Sequence, residues 1–154
     1  PTCILVSPLE RTLQTAAIIF PEHPSTHVVE SLRERRTGLP CDERKPACVN
    51  AKRRTFCHMS FDHLFTSDFR QEMTRRARSE KFLGLGDCVE EKIQVRDRAA
   101  EVIEEVKMRD DEVLAVVTHK GFLRELERGP LGRPDATEFD NCEVRIYEVM
   151  IGAD

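Results

Sequence analysis

The spacing of apolar residues along this chain changes period several times, and each change predicts an element. Residues 3–6, Cys-Ile-Leu-Val, form a continuous apolar run of the length of a buried strand. Ser7-Pro8-Leu9-Glu10 follows, with an N-cap serine, proline at the first helical position and glutamate three residues after the cap. Leu9, Leu13, Ala16, Ala17 and Phe20 then share one helix face, and Pro21 ends it. Residues 26–30 predict a short strand, and 31–42 have loop chemistry. Residues 43–60 are basic and polar without clear periodicity. Phe61, Leu64, Phe65, Phe69 and Met73 recur at helical spacing and predict a helix or a pair of short helices. The basic run 75–81 predicts a solvated face, and residues 84–87, with two glycines, a break. Asp87 with Glu90 repeats the capping pattern, and Val89, Ile93, Ala100, Ile103 and Val106 predict a long amphipathic helix to about 108. Residues 112–118 resemble a strand buried on both faces of a parallel sheet. A short helix opens at Gly121, and the alternation in 143–149 predicts a closing strand. Strands alternating with helices define an α/β layered domain. Neither an internal repeat nor a low-complexity tract interrupts it.

Composition narrows this picture. A chain of 154 residues is long enough for one domain with a real core. The net charge of −4 gives no electrostatic reason to expect nucleic acid or an anionic membrane as partner. No apolar stretch approaches the roughly 20 residues that span a bilayer. Residues 1–10 lack a basic region followed by a long apolar segment, so no signal peptide is expected. The six cysteines, Cys3, Cys41, Cys48, Cys57, Cys88 and Cys142, include no C-x-x-C pair. Cys41, Cys48, Cys57, His58 and His63 have irregular intervals that fit no zinc pattern, so reduced thiols in a cytoplasmic setting are expected rather than a metal.

Two stretches have the composition for chemistry. In an open α/β sheet, ligands bind outside the carboxyl ends of the strands, where loops feed helices. Arg11 stands in the first helical turn after the strand at 3–6, and His119 ends the strand at 112–118. A helix N-terminus offers unpaired N–H groups to an anion. Arg11 is placed to aim a planar fork of donors at phosphate oxygens. His119 is placed to donate to the same oxygens, with the backbone N–H groups of Lys120 and Gly121 beneath. Taken singly, Arg11 is an ordinary surface arginine and His119 an ordinary helix cap. Both standing on strand-to-helix turns favours the joint reading.

The segment SPLERTLQTA at 7–16 resembles the S-P-L-x-R-[TA]-x-x-T-A signature of the histidine phosphatase superfamily, the phosphoglycerate-mutase-like proteins. LRERRTGLPCD (32–42) is similar to the segment whose glutamate belongs to that family's active site. VVTHKGFLREL (116–126) is similar to its second-histidine motif, and FDNCEVRIYEV (139–149) to its closing strand. The resemblance runs from Cys3 to about Val149. It implies a three-layer, mostly parallel α/β fold with helices on both faces, as one domain over 1–154 with a variable insert at 43–90. It implies phosphoryl transfer through a phosphohistidine, with charge on the equatorial oxygens held by arginines and a second histidine. Arg11 is then a phosphate clamp, His119 the second histidine and Glu34 the general acid. No metal or other cofactor is needed, and the partner is a phosphorylated small molecule.

One part of that pattern is missing. The family's nucleophilic histidine lies in an R-H-G triplet at the end of a strand preceding S-P-L-x-R-T, and this sequence contains no R-H-G. His23 and His27 come too late in the order, and His58 and His63 lie in the insert. The expectation is a domain truncated at its N-terminus and inactive alone, with a slot beside residues 3–6 and 113–118. That slot would be closed either by its neighbours pairing with each other or by a strand from a second copy, making a homodimer. Phosphatase is favoured over mutase, because the interval between Glu34 and His119 is short for a mutase. The alternative is a member that binds a phosphorylated ligand or a protein partner without turnover. The basic residues Lys52, Arg53, Arg54, Arg75 and Arg76 face either an anionic substrate or water.

Overall fold

The computed structural model of the protein describes residues 1–42, 44–65 and 89–149. Phe69, Met73, the basic run 75–81, the break at 84–87 and Asp87 lie outside them. The described elements are β1 (Cys3–Val6), α1 (Glu10–Ile19), β2 (Thr26–Val28), α2 (Ala47–Ala51), α3 (Lys92–Lys107), β3 (Leu114–Val117) and α4 (Lys120–Arg128).

The three strands form one parallel sheet in the order β2-β1-β3. β1 is central, and all four of its residues are at most 1% exposed. Its period-2 alternation divides the core between the two faces. Cys3 and Leu5 join Val95, Ala99 and Val102 of α3 and Phe122 and Leu126 of α4. Val6 joins Leu13 and Ala16 of α1, with Val28, Phe56, Met59, Phe61 and Leu64. Helices therefore cover both faces, and the expected three-layer α/β architecture is present.

β1 and β3 pair directly, with Cys3 opposite Leu114 and Val6 opposite Val117. No slot separates them, so of the two expected closures it is direct pairing that occurs. The outer side of β3 has no paired strand among the described residues. In consequence β3 is not buried on both faces: its four residues are half-buried or exposed.

Several other expectations are corrected. α1 starts at Glu10 with Leu9 as its N-cap, and no side chain caps it. Ser7 stands two residues ahead of that N-cap, where its hydroxyl accepts from the Leu9 N–H at 3.4 Å and meets His119 Nε2 at 2.7 Å. The Thr12 hydroxyl turns back instead, donating to the carbonyls of Ser7 at 3.0 Å and Leu9 at 2.6 Å. Glu10 does not close a capping box; it pairs with Lys45 and Arg53. The buried stripe of α3 runs through Val95, Ala99 and Val102, while Val89 and Ile93 are exposed. That helix begins with a capping box between Glu91 and Gln94. The insert, silent in its periodicity, contributes α2 and a 3₁₀ turn at Arg54–Phe56 whose Phe56 is fully buried.

Residues 143–149 form no strand in the structure. Their alternation survives, but a ladder needs a neighbour, and among the described residues none lies alongside. Arg145 and Tyr147 instead both reach Glu127 of α4, at 2.7 Å each, leaving Val144 and Ile146 exposed.

Candidate anion-binding site

The site follows from the register of β1 and β3. Because Val6 lies opposite Val117, the two chains leave the sheet side by side, and the Ser7 N–H donates to the Val117 carbonyl at 3.0 Å. Three residues after β1 and two after β3, each strand has led into its helix. The side chains of Ser7, Arg11 and His119 converge there.

His119 is 6% exposed. Its Nε2 lies 2.7 Å from Ser7 Oγ, and its Nδ1 accepts a hydrogen bond from Arg11 Nε at 3.2 Å. Arginine Nε always bears hydrogen, so Nδ1 must be the acceptor and Nε2 the protonated nitrogen, donating to Ser7. The ring is therefore neutral. Burial, reinforced by the charge of Arg11 and then of Arg98 and only partly opposed by Asp42, depresses its pKa to about 3. Both ring nitrogens are engaged within the protein, where the sequence led us to expect a donor to a ligand.

Arg11 has a half-exposed side chain and two further contacts on the loop at 37–42. Its Nη1 donates to the Cys41 carbonyl at 2.7 Å, and its Nη2 lies 3.6 Å from Asp42 Oδ1. The Asp42 side chain is 9% exposed, and the Thr37 hydroxyl donates to its other oxygen.

Glu34 lies earlier on the same connection as Asp42 and reaches the start of α4. Its carboxylate accepts from the Arg35 N–H at 2.8 Å and from the Gly121 N–H, in the first turn of α4, at 3.3 Å. A Cβ on residue 121 would lie 2.4 Å from Glu34 Oε1, so only glycine leaves room for the carboxylate there. Lys120 contributes its place in that first turn, while its ammonium pairs with Glu138 at 3.6 Å. The structure thus brings Arg11 to His119, and Glu34 to Gly121.

The loop carrying Glu34 is held by groups that sequence reasoning missed. Thr118 Oγ1 donates to the Leu32 carbonyl at 2.6 Å, tying the end of β3 to that loop. Arg98 of α3 donates to the carbonyls of Ser31 and Arg33 and pairs with Glu90 at 2.9 Å. Burial works against the Glu90 carboxylate, but Arg98 and Arg33 outweigh it and hold its pKa below the ordinary range. An arginine in mid-helix gives no sequence signal for such a role. Ser7 did stand in a visible motif, whose capping geometry pointed to another use for the hydroxyl.

Fold and site together define an α/β protein that places a guanidinium, a helix N-terminus and a carboxyl group at the carboxyl ends of adjacent parallel strands. The chain belongs to the histidine phosphatase superfamily, branch 1, whose family model matches residues 1–152. Comparison with curated proteins and with solved structures finds no match. Among the described residues no helix is long and apolar enough to cross a membrane, and no group of three or more His, Cys, Asp or Glu is arranged to hold a metal.

Proposed function

We propose that this chain forms the phosphate-binding part of a phosphohistidine phosphatase or mutase, with phosphatase the favoured branch. Arg11 is the clamp, His119 the second histidine, Glu34 the proton donor to the leaving oxygen, and the backbone N–H groups of Lys120 and Gly121 the floor of the site. The observation that carries this reading is the 3.2 Å contact between Arg11 Nε and His119 Nδ1, made by side chains 108 residues apart. Glu34 supports it by standing at the helix end where an anion would lie, as a proton donor must. The proposed ligand is a phosphorylated small molecule rather than nucleic acid, and the proposed setting is the cytoplasm. Direct pairing of β1 with β3 removes the slot that argued for a dimer.

These 154 residues, which lack an R-H-G triplet, are proposed to bind phosphate without turnover. The engagement of both His119 nitrogens by Ser7 and Arg11 favours that second, binding-only reading for the chain by itself. Calorimetric titration with inorganic phosphate tests the site. Arg11→Ala removes a charge-assisted contact of about 1.5–3 kcal/mol, a loss of roughly tenfold to a hundredfold in affinity. Equal binding by wild type and Arg11→Ala would refute the clamp. Hydrolysis of an aryl phosphate above a His119→Ala control, with acid-labile phosphate on the protein, would show that another histidine has been recruited.

A further inference from the structure

Asp42 belongs to no part of the phosphate chemistry outlined above, yet it is a nearly buried carboxylate facing the only guanidinium assigned to the anion. We propose that Asp42 is an affinity- and specificity-setting residue: an internal anion that pairs with Arg11 and must yield it when a phosphate dianion binds. The inference rests on the reading of Arg11 as a phosphate clamp.

The geometry of the loop supports it. Asp42 Oδ1 lies 3.6 Å from Arg11 Nη2, and the preceding carbonyl, that of Cys41, accepts from Nη1 at 2.7 Å. With Nε donating to His119, all three nitrogens of Arg11 face protein partners. The loop is preset for this: Gly38 has φ of 80°, a turn conformation that favours glycine, and the Asp42 N–H donates to the Leu39 carbonyl at 3.0 Å. The Thr37 hydroxyl holds the far oxygen of the carboxylate.

The ion pair is long, and the Arg11 side chain is 46% exposed. A pair of this kind is weak and exchangeable, as a competitor for a ligand site must be. Exchange also has a direction. A monoanion replacing Asp42 on Arg11 substitutes one unit of charge for another, whereas a phosphomonoester dianion brings two. The fixed charge of Asp42 repels that dianion about twice as strongly as it repels a monoanion, so Asp42 holds down the preference for phosphomonoesters over phosphodiesters and simple carboxylates. The same repulsion lowers affinity for all of them.

The test is calorimetric titration of the full chain with inorganic phosphate and, separately, dimethyl phosphate. Asp42→Asn keeps the shape and the acceptor for Thr37 while removing the charge. It is expected to bind phosphate at least fivefold more tightly than wild type and to widen the preference for phosphate over dimethyl phosphate, since the dianion gains more from the lost repulsion. Asp42→Ser, which also removes the charge, gives the same comparison if the amide folds poorly. Wild-type binding that both variants leave unchanged or weaken overturns the inference alone. Failure of wild type and variants alike to bind phosphate overturns the clamp reading and this inference with it.

Discussion

Replacing Gly121 by alanine separates two effects that usually travel together. Alanine in a helix gains about 0.5–1 kcal/mol over glycine, because glycine loses more backbone freedom on folding. At this position the added Cβ would stand 2.4 Å from Glu34 Oε1 and 3.1 Å from its Cδ. Those atoms are the end of a flexible side chain, so the carboxylate swings away and the backbone stays. What is lost is the contact with the Gly121 N–H and the charge at the positive end of α4, worth about 0.3–1 kcal/mol. The two terms nearly cancel, and Gly121→Ala should leave stability within about 0.5 kcal/mol of wild type. In a Glu34→Ala background there is nothing to displace, and the same substitution should stabilise by the full helix term. Urea denaturation of the four chains gives the coupling, expected at about 0.5–1 kcal/mol. If Gly121→Ala stabilises both backgrounds equally, Glu34 does not lie against the first turn of α4 and the assignment of a proton donor at that place fails.

Further outcomes follow from the same structure. His119 has its pKa lowered to about 3 in the folded chain, below the ordinary histidine value, so between the two the unfolded state binds more protons. Its stabilising contribution is complete above about pH 6.5 and drains away as pH falls, at up to roughly 1.4 kcal/mol per pH unit; melting wild type and His119→Gln from pH 7 to 5 should show the steeper loss in wild type, and parallel curves would contradict a buried neutral ring. Glu127→Ala removes the shared acceptor of Arg145 and Tyr147. Trypsin should then cut after Arg145 several times faster, and an unchanged rate would mean that 143–149 is held by other contacts. Phe122 is fully buried beneath Arg98, whose guanidinium lies 5.3 Å from the ring centroid. Phe122→Ala should cost about 3–5 kcal/mol in chemical denaturation, and a loss under about 1 kcal/mol would place that ring outside the core.

What the sequence by itself determined was the local part of this architecture. The apolar runs at 3–6 and 112–118 appear as strands, the second over Leu114–Val117, and Leu9, Leu13 and Ala16 as buried positions, because burial leaves a periodic trace that needs no knowledge of neighbours. The motif around Arg11 and the one around His119 were both legible, since each stands on its own strand-to-helix turn. Tertiary structure decided what those groups touch. Ser7 has the composition of a cap, but the register of β1 against β3 brings His119 Nε2 within 2.7 Å of its hydroxyl. The helix cap gives way, and α1 starts later. The stripe of α3 turned out to run through Val95 and Ala99 rather than Ile93 and Ala100, because several apolar sets at helical spacing coexist there and only the sheet selects one. Residues 143–149 have the alternation of a strand without becoming one, since pairing is a property of two segments and a sequence pattern describes one. Arg98 and Asp42 left no trace at all. Their roles depend on loops 65 and 31 residues away in the chain, and a lone arginine or aspartate at such a distance has no local periodicity to betray it.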